Sequence, residues 1–216
     1  MSANHESKNF FLAGPVGKLE AVLWTPAADV TPHFAAVVCH PHPLFGGTMH
    51  NKVVYQAAKA LDAHHGAVLR FNFRGTGLSA GEHDRGQGER EDVRAALDFL
   101  AGEFSGLPLV LGGFSFGCWV GLRVGCEDAR VEQLIGIGAP VNTSDFSYLD
   151  ACAKPKLFVH GSKDEFGDVH KLEKIVAGLP GEKKLVVVDG VDHFFKGKIA
   201  ELGKAVSDWM TGWLVA

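Results

Sequence analysis

Cysteine is scarce in this chain, with four in 216 residues: Cys39, Cys118, Cys126 and Cys152. They form no C-x-x-C pair and no zinc-like spacing, so neither a disulfide framework nor a zinc ribbon is expected, and they read as reduced, mostly buried thiols. A basic excess is also missing. Lys and Arg number 21 against 25 Asp and Glu, a net charge of −4, which leaves no electrostatic footing for a nucleic-acid partner. No basic start followed by a sustained apolar region opens the sequence, so no signal peptide is predicted and the cytoplasm is the expected location. The eleven histidines include no H-E-x-x-H. A metal held by His40, His42 and His50 is therefore not expected.

Internal repeats, low-complexity tracts and linkers are absent too, so residues 1–216 are expected to form one domain. The one long uncharged run, residues 104–122, is interrupted by Pro108, five glycines and Ser115. It predicts a buried strand, a Gly-rich turn and a buried helix rather than a membrane span.

Short apolar runs fill most of the remainder. Strands are predicted at 9–12, 18–24, 35–39, 67–71, 108–112, 133–137, 156–160 and 184–188. The first two are joined by a turn containing Gly14, Pro15 and Gly17, which predicts an antiparallel hairpin. Several later strands are continuously apolar, as strands covered on both faces must be. Helical spacing of Val53, Ala57, Ala60 and Leu61, and of Val93, Ala96, Leu97 and Leu100, places helices between strands. Glu89, Glu91 and Asp92 suit the start of the second. Further helices are read at 169–177 and 199–213. The alternation predicts an α/β fold with a doubly wound, mostly parallel eight-stranded sheet and helices on both faces.

In such a sheet, chemistry is sought on the loops beyond the carboxyl ends of the strands. Two segments match G-x-S-x-G. Gly113-Phe114-Ser115-Phe116-Gly117 follows an apolar strand and precedes an apolar helix, the context a nucleophilic serine on a sharp turn requires. Gly77-Leu78-Ser79-Ala80-Gly81 runs into polar sequence instead and reads as a loop. A serine hydroxyl needs a base to take its proton and an acid to orient that base. Downstream of Ser115, His193 lies on a strand-end loop, whereas His160 ends a strand and His170 sits in a helix. Asp164 is the preferred acid, with Glu165 and Asp168 as local alternatives; Asp192 reads as a turn cap. The oxyanion requires two donors. The N–H of Phe116 is one, and the loop His40-Pro41-His42-Pro43-Leu44-Phe45-Gly46-Gly47 supplies the other from His42 or Leu44, because the prolines have no N–H.

Taken together, His40-Pro41-His42-Pro43 with Gly46-Gly47, Arg74-Gly75-Thr76-Gly77-Leu78-Ser79, the Ser115 turn, His160-Gly161 through Asp164, and Asp192-His193-Phe194 resemble the α/β-hydrolase superfamily. The match is to its small, lidless, dienelactone-hydrolase-like esterase branch. Dienelactone hydrolases proper carry Cys where this chain has Ser115. The resemblance implies a serine carboxylesterase-like hydrolase that needs no cofactor. Thioesterase and peptidase chemistry would use the same groups, and a non-catalytic binding protein that keeps the fold is the further alternative. Only eighteen residues, 138–155, separate the sixth and seventh strands, too few for a lid domain. An open site is expected, lined by Phe45, Trp119, Phe166 and Phe194 and taking small or short-chain esters.

Overall fold

The computed structural model describes residues 5–215. All eight predicted strands form, in one sheet: β1 (His5–Gly14), β2 (Gly17–Pro26), β3 (Phe34–Cys39), β4 (Gly66–Phe71), β5 (Leu109–Phe114), β6 (Val131–Ile137), β7 (Lys156–Gly161) and β8 (Lys183–Val188). Their spatial order is β1-β2-β4-β3-β5-β6-β7-β8. β1 and β2 pair antiparallel through a hairpin that closes at Gly14 opposite Gly17, and β2 meets β4 antiparallel. From β4 to β8 every pairing is parallel.

Apart from the edge strand β8, the parallel strands are buried on both faces, and side-chain alternation sends successive residues to opposite layers. Ala35, Val37 and Cys39 of β3 join one apolar layer with α2 (Gln87–Glu103), α3 (Phe116–Glu127) and α4 (Val169–Gly178). Ala36 and Val38 join the other, with α1 (Lys52–Asp62) and α5 (Ile199–Leu214). The helices follow the sequence expectation closely. Asp92 differs in its role. Rather than serving the start of α2, it is buried in α2 and grips Arg74 on the loop after β4, with Arg74 Nη2 donating to Asp92 Oδ1 at 2.7 Å.

β3 lies between β4 and β5, so the chain winds outward from it in both directions. The loops leaving β3 and β5 therefore part from each other at the carboxyl edge of the sheet, where this architecture opens a crevice. Among the described residues no helix is long and apolar enough to cross a membrane.

Candidate active site

β5 delivers Ser115 to that crevice. Ser115 has φ 56° and ψ −119°, a conformation that costs a non-glycine residue about 1–3 kcal/mol. Its surroundings hold it there. The Ser115 N–H donates to Ile137 O at the end of β6 (2.9 Å), and its carbonyl accepts from Trp119 N–H (3.1 Å), starting α3. Close approach of strand and helix depends on the flanking glycines: a Cβ on Gly113 would lie 2.2 Å from Gly117 O, and one on Gly117 would lie 2.5 Å from His40 O. Phe116 occupies the first position of α3, where a backbone N–H has no partner within the helix and points outward at its positive end.

His193 sits on the loop after β8 and is buried. Its Nδ1–H donates to Asp164 Oδ2 at 2.7 Å. The ring packs against Phe114, the residue before the serine, with centroids 4.7 Å apart. A side chain at Gly138, which follows the Ile137 that anchors Ser115, would come within 3.1 Å of the same ring. The imidazole is thus set beside the Ser115 turn. Among the described residues no hydrogen bond joins the Ser115 hydroxyl to it.

Asp164 is positioned from its other oxygen. Oδ1 accepts the N–H groups of Phe166 (2.9 Å) and Gly167 (3.1 Å), while Oδ2 meets the His193 imidazole, with His160 Nε2 farther off at 3.7 Å. The neighbouring carboxylates are engaged elsewhere. Glu165 Oε2 accepts the backbone N–H of His193 at 3.4 Å, Asp168 caps α4 through Lys171 N–H, and Asp192 accepts Phe194 and Lys196 N–H groups within its own turn. Of the other two downstream histidines, His160 is buried with Nε2 against Gly167 O at 2.7 Å. His170 is exposed on α4 beside Glu173.

The loop after β3 turns on a histidine whose role the sequence does not reveal. His40 is fully buried; Nδ1–H donates to Pro41 O (2.6 Å) and Nε2 accepts Phe73 N–H (3.0 Å). Both ring nitrogens are therefore occupied, which ties the β3 loop to the start of the β4 loop and leaves nothing for a metal. Burial pushes its pKa down to about 4. The two candidate oxyanion donors on this loop differ: Leu44 N–H donates to His42 Nδ1 at 3.2 Å and its side chain is 69% exposed. His50 is exposed, and among the described residues no three His, Cys, Asp or Glu side chains are grouped to hold a cation.

The four aromatic residues expected to line the site fall into two walls. Phe166 and Phe194 flank His193, with ring centroids at 4.7 and 5.3 Å. On the other side, tilted and edge-on ring contacts run from Phe45 to His42 (4.7 Å), His42 to Phe116 (4.8 Å), and Phe116 to Trp119 (5.9 Å). Trp119 is fixed by its indole N–H, which donates to Asp145 O at 2.9 Å. The loop between β4 and α2 adds an unforeseen member to this wall. His83 lies 4.8 Å from His42 and 5.5 Å from Phe116, with Nδ1 at 2.8 Å from Glu89 Oε1. A separate groove of about 600 Å³ runs between the β6–β7 loop and α4, lined by Val141, Asp145, Phe146, Lys171 and Lys174.

These features agree with what the chain resembles among other proteins. Residues 36–210 match the family model described as "Alpha/beta hydrolase domain". A solved structure of an α/β serine hydrolase homologue from Coxiella burnetii is 38% identical, covers 94% of this chain and 97% of its own, and superposes with a TM-score of 0.88. One from Xanthomonas campestris, described as an α/β serine hydrolase without a lid, is 37% identical over 96% of this chain and 95% of its own, with a TM-score of 0.89. An uncharacterised Rickettsia prowazekii protein is 37% identical, with coverage of 93% of this chain and 87% of the relative.

Proposed function

From a chain that belongs to the α/β-hydrolase family, and from an Asp164–His193 contact of 2.7 Å set beside the Ser115 turn, we propose a serine hydrolase that cleaves small or short-chain carboxylic esters through an acyl-enzyme. The Asp164–His193 contact carries this reading. It fixes the tautomer, because a proton held on Nδ1 by the carboxylate leaves Nε2 as a lone pair free to take the serine proton.

The cycle follows from that placement. Ser115 Oγ attacks the ester carbonyl as His193 Nε2 accepts its proton, and Asp164 stabilises the imidazolium that results. The negative charge developing on the carbonyl oxygen is met by Phe116 N–H at the positive end of α3. His42 N–H is the better second donor, since Leu44 N–H is already engaged with the His42 ring. His193 then returns the proton to the departing alkoxide, and a water activated by the same imidazole releases the acid. No cofactor enters these steps. Phe166 and Phe194 on one side, and Phe45 and Trp119 on the other, offer apolar surface to the acyl and alcohol parts.

Phe45 is 86% exposed and Phe166 and Phe194 are also exposed, so the walls are short and open to water at the top. Acyl carbons beyond the first few gain little burial there. Hydrolysis of p-nitrophenyl esters should accordingly be fastest with short acyl chains, and a rate that climbs steadily toward long chains would refute the substrate class. Labelling by a fluorophosphonate probe, lost in Ser115→Ala, tests the nucleophile itself.

A further inference from the structure

The cycle above leaves one deeply buried imidazole beside Asp164 without a part. His160 is the penultimate residue of β7 and has no exposed surface. β7 pairs with β6 on one side and β8 on the other, with His160 opposite Val187, so the ring stands on rigid sheet rather than on a loop. Its Nε2–H donates to Gly167 O at 2.7 Å. The N–H of the same Gly167 donates to Asp164 Oδ1 at 3.1 Å. His160 Nε2 also lies 3.7 Å from Asp164 Oδ2, the oxygen that holds His193 Nδ1–H, a separation too long for a hydrogen bond.

Ring and turn fit closely. A Cβ on Gly167 would meet Ala139 O at 2.3 Å and His160 Cε1 at 2.8 Å, so the turn that carries Asp164 has no slack on that side. The second ring nitrogen is unused: Nδ1 is buried and has no partner among the described residues. His40, which ties two loops together, engages both of its nitrogens. An apolar side chain at 160 would fill the space without leaving a buried polar atom unsatisfied. What the position needs from histidine is therefore the Nε2–H.

We propose, on the serine-hydrolase reading given above, that His160 is a positioning residue for the Asp164 carboxylate. Its Nε2–H holds the Gly167 carbonyl, Gly167 N–H holds Oδ1, and Oδ2 is thereby kept on His193 Nδ1–H. The contacts run from strand to ring to turn to carboxylate to base, and none of them touches substrate. Their effect falls on the imidazolium, which Asp164 stabilises only while Oδ2 stays in line with Nδ1–H. A misplacement of about 1 Å is enough to cost about 100-fold in rate.

Two variants of matched length separate the donor from the packing. Gln carries an amide N–H where Nε2 stands, and Met carries an apolar methyl there. His160→Met should lower kcat for p-nitrophenyl acetate by about 10- to 100-fold with KM within about twofold of the parent. The acid limb of its kcat/KM profile should also move down by about half a pH unit or more, because a carboxylate that turns away favours the protonated base less. His160→Gln should bring kcat back to within a few-fold and return the acid limb to its place. Asp164 and Glu165, the charged neighbours of His193, are unchanged in both. A folded Met variant with parental kcat would overturn the proposal, as would equal losses in both variants with the acid limb unmoved. Histidine 15N NMR of the parent reads the donor whether or not the variants fold: a proton on His160 Nε2 is expected, and one on Nδ1 instead would overturn the proposal. A parent that neither hydrolyses the ester nor takes a fluorophosphonate at Ser115 would overturn the hydrolase reading and this role with it. A parent that does both leaves His160 to be judged by its variants alone.

Discussion

Ser79 and Ser115 stand in the same five-residue pattern, and the protein treats them in opposite ways. Ser79 is buried on the loop after β4, where its hydroxyl donates to Asn72 O (2.7 Å) and accepts Glu20 N–H (2.9 Å). The hydroxyl joins the β4 loop to the β1–β2 hairpin, and its bonding capacity is spent on backbone. Ser115 takes a left-handed φ, keeps partial exposure and makes no such bonds. A glycine-flanked serine is therefore only a tight turn. What distinguishes the two is the element on each side: a buried strand and a buried helix force Ser115 outward, whereas a polar loop folds Ser79 back onto itself.

The difference between the two serines is tested most severely at Ser115. Ser115→Ala should lower kcat/KM by roughly three to six orders of magnitude while the far-UV spectrum and Tm stay close to those of the parent. Near-parental turnover would erase the distinction. Asp164→Asn should reduce kcat/KM by about two to four orders of magnitude, because the amide stabilises the wrong imidazole tautomer and cannot compensate the imidazolium. An effect below tenfold would mean that another carboxylate orients His193, with Glu165 the nearest.

His40 braces the loop beside Ser115 and has no counterpart at Ser79. In the unfolded chain a histidine binds its proton below about 6.5, whereas in the folded protein His40 does so only below about 4. The unfolded state is thus favoured as pH falls between those values. Stability should drop by about 3 kcal/mol across that window, over and above what other groups contribute. Urea denaturation at pH 7 and at pH 4 measures it, and His40→Gln should flatten the difference; an unchanged slope in the variant would assign the effect elsewhere. The smallest change is expected at Ser79. Ser79→Ala should cost about 1–3 kcal/mol by leaving the Glu20 N–H and Asn72 carbonyl without partners, with kcat/KM kept within a few-fold. A loss of activity as large as that of Ser115→Ala would overturn the structural role given to Ser79.

The strands were legible because each is a short apolar run closed by Gly, Pro or a charged residue, and the helices because their apolar positions repeat at helical spacing. Chain order and loop position point to Ser115, Asp164 and His193, and the last two are in contact. Sequence could not show that Leu44 N–H is occupied, since that depends on which way the His42 ring turns. Nor could it show His40 bridging to Phe73 or His83 joining the aromatic wall. Each of those contacts spans two loops brought together only by the sheet, and no local spacing encodes it. Asp92 is a further case: an acid near a helix start satisfies the helix dipole equally well whether or not an arginine reaches it.

His40 also bears on the timing of the reaction. Its two hydrogen bonds hold the loop after β3 against the loop after β4 before any substrate arrives. On the proposed mechanism, the donors awaiting the oxyanion are therefore set when the chain folds, not when substrate binds. Under that mechanism each turnover would begin with the dipoles already aimed, and the proposed ester would need only to fit between the walls.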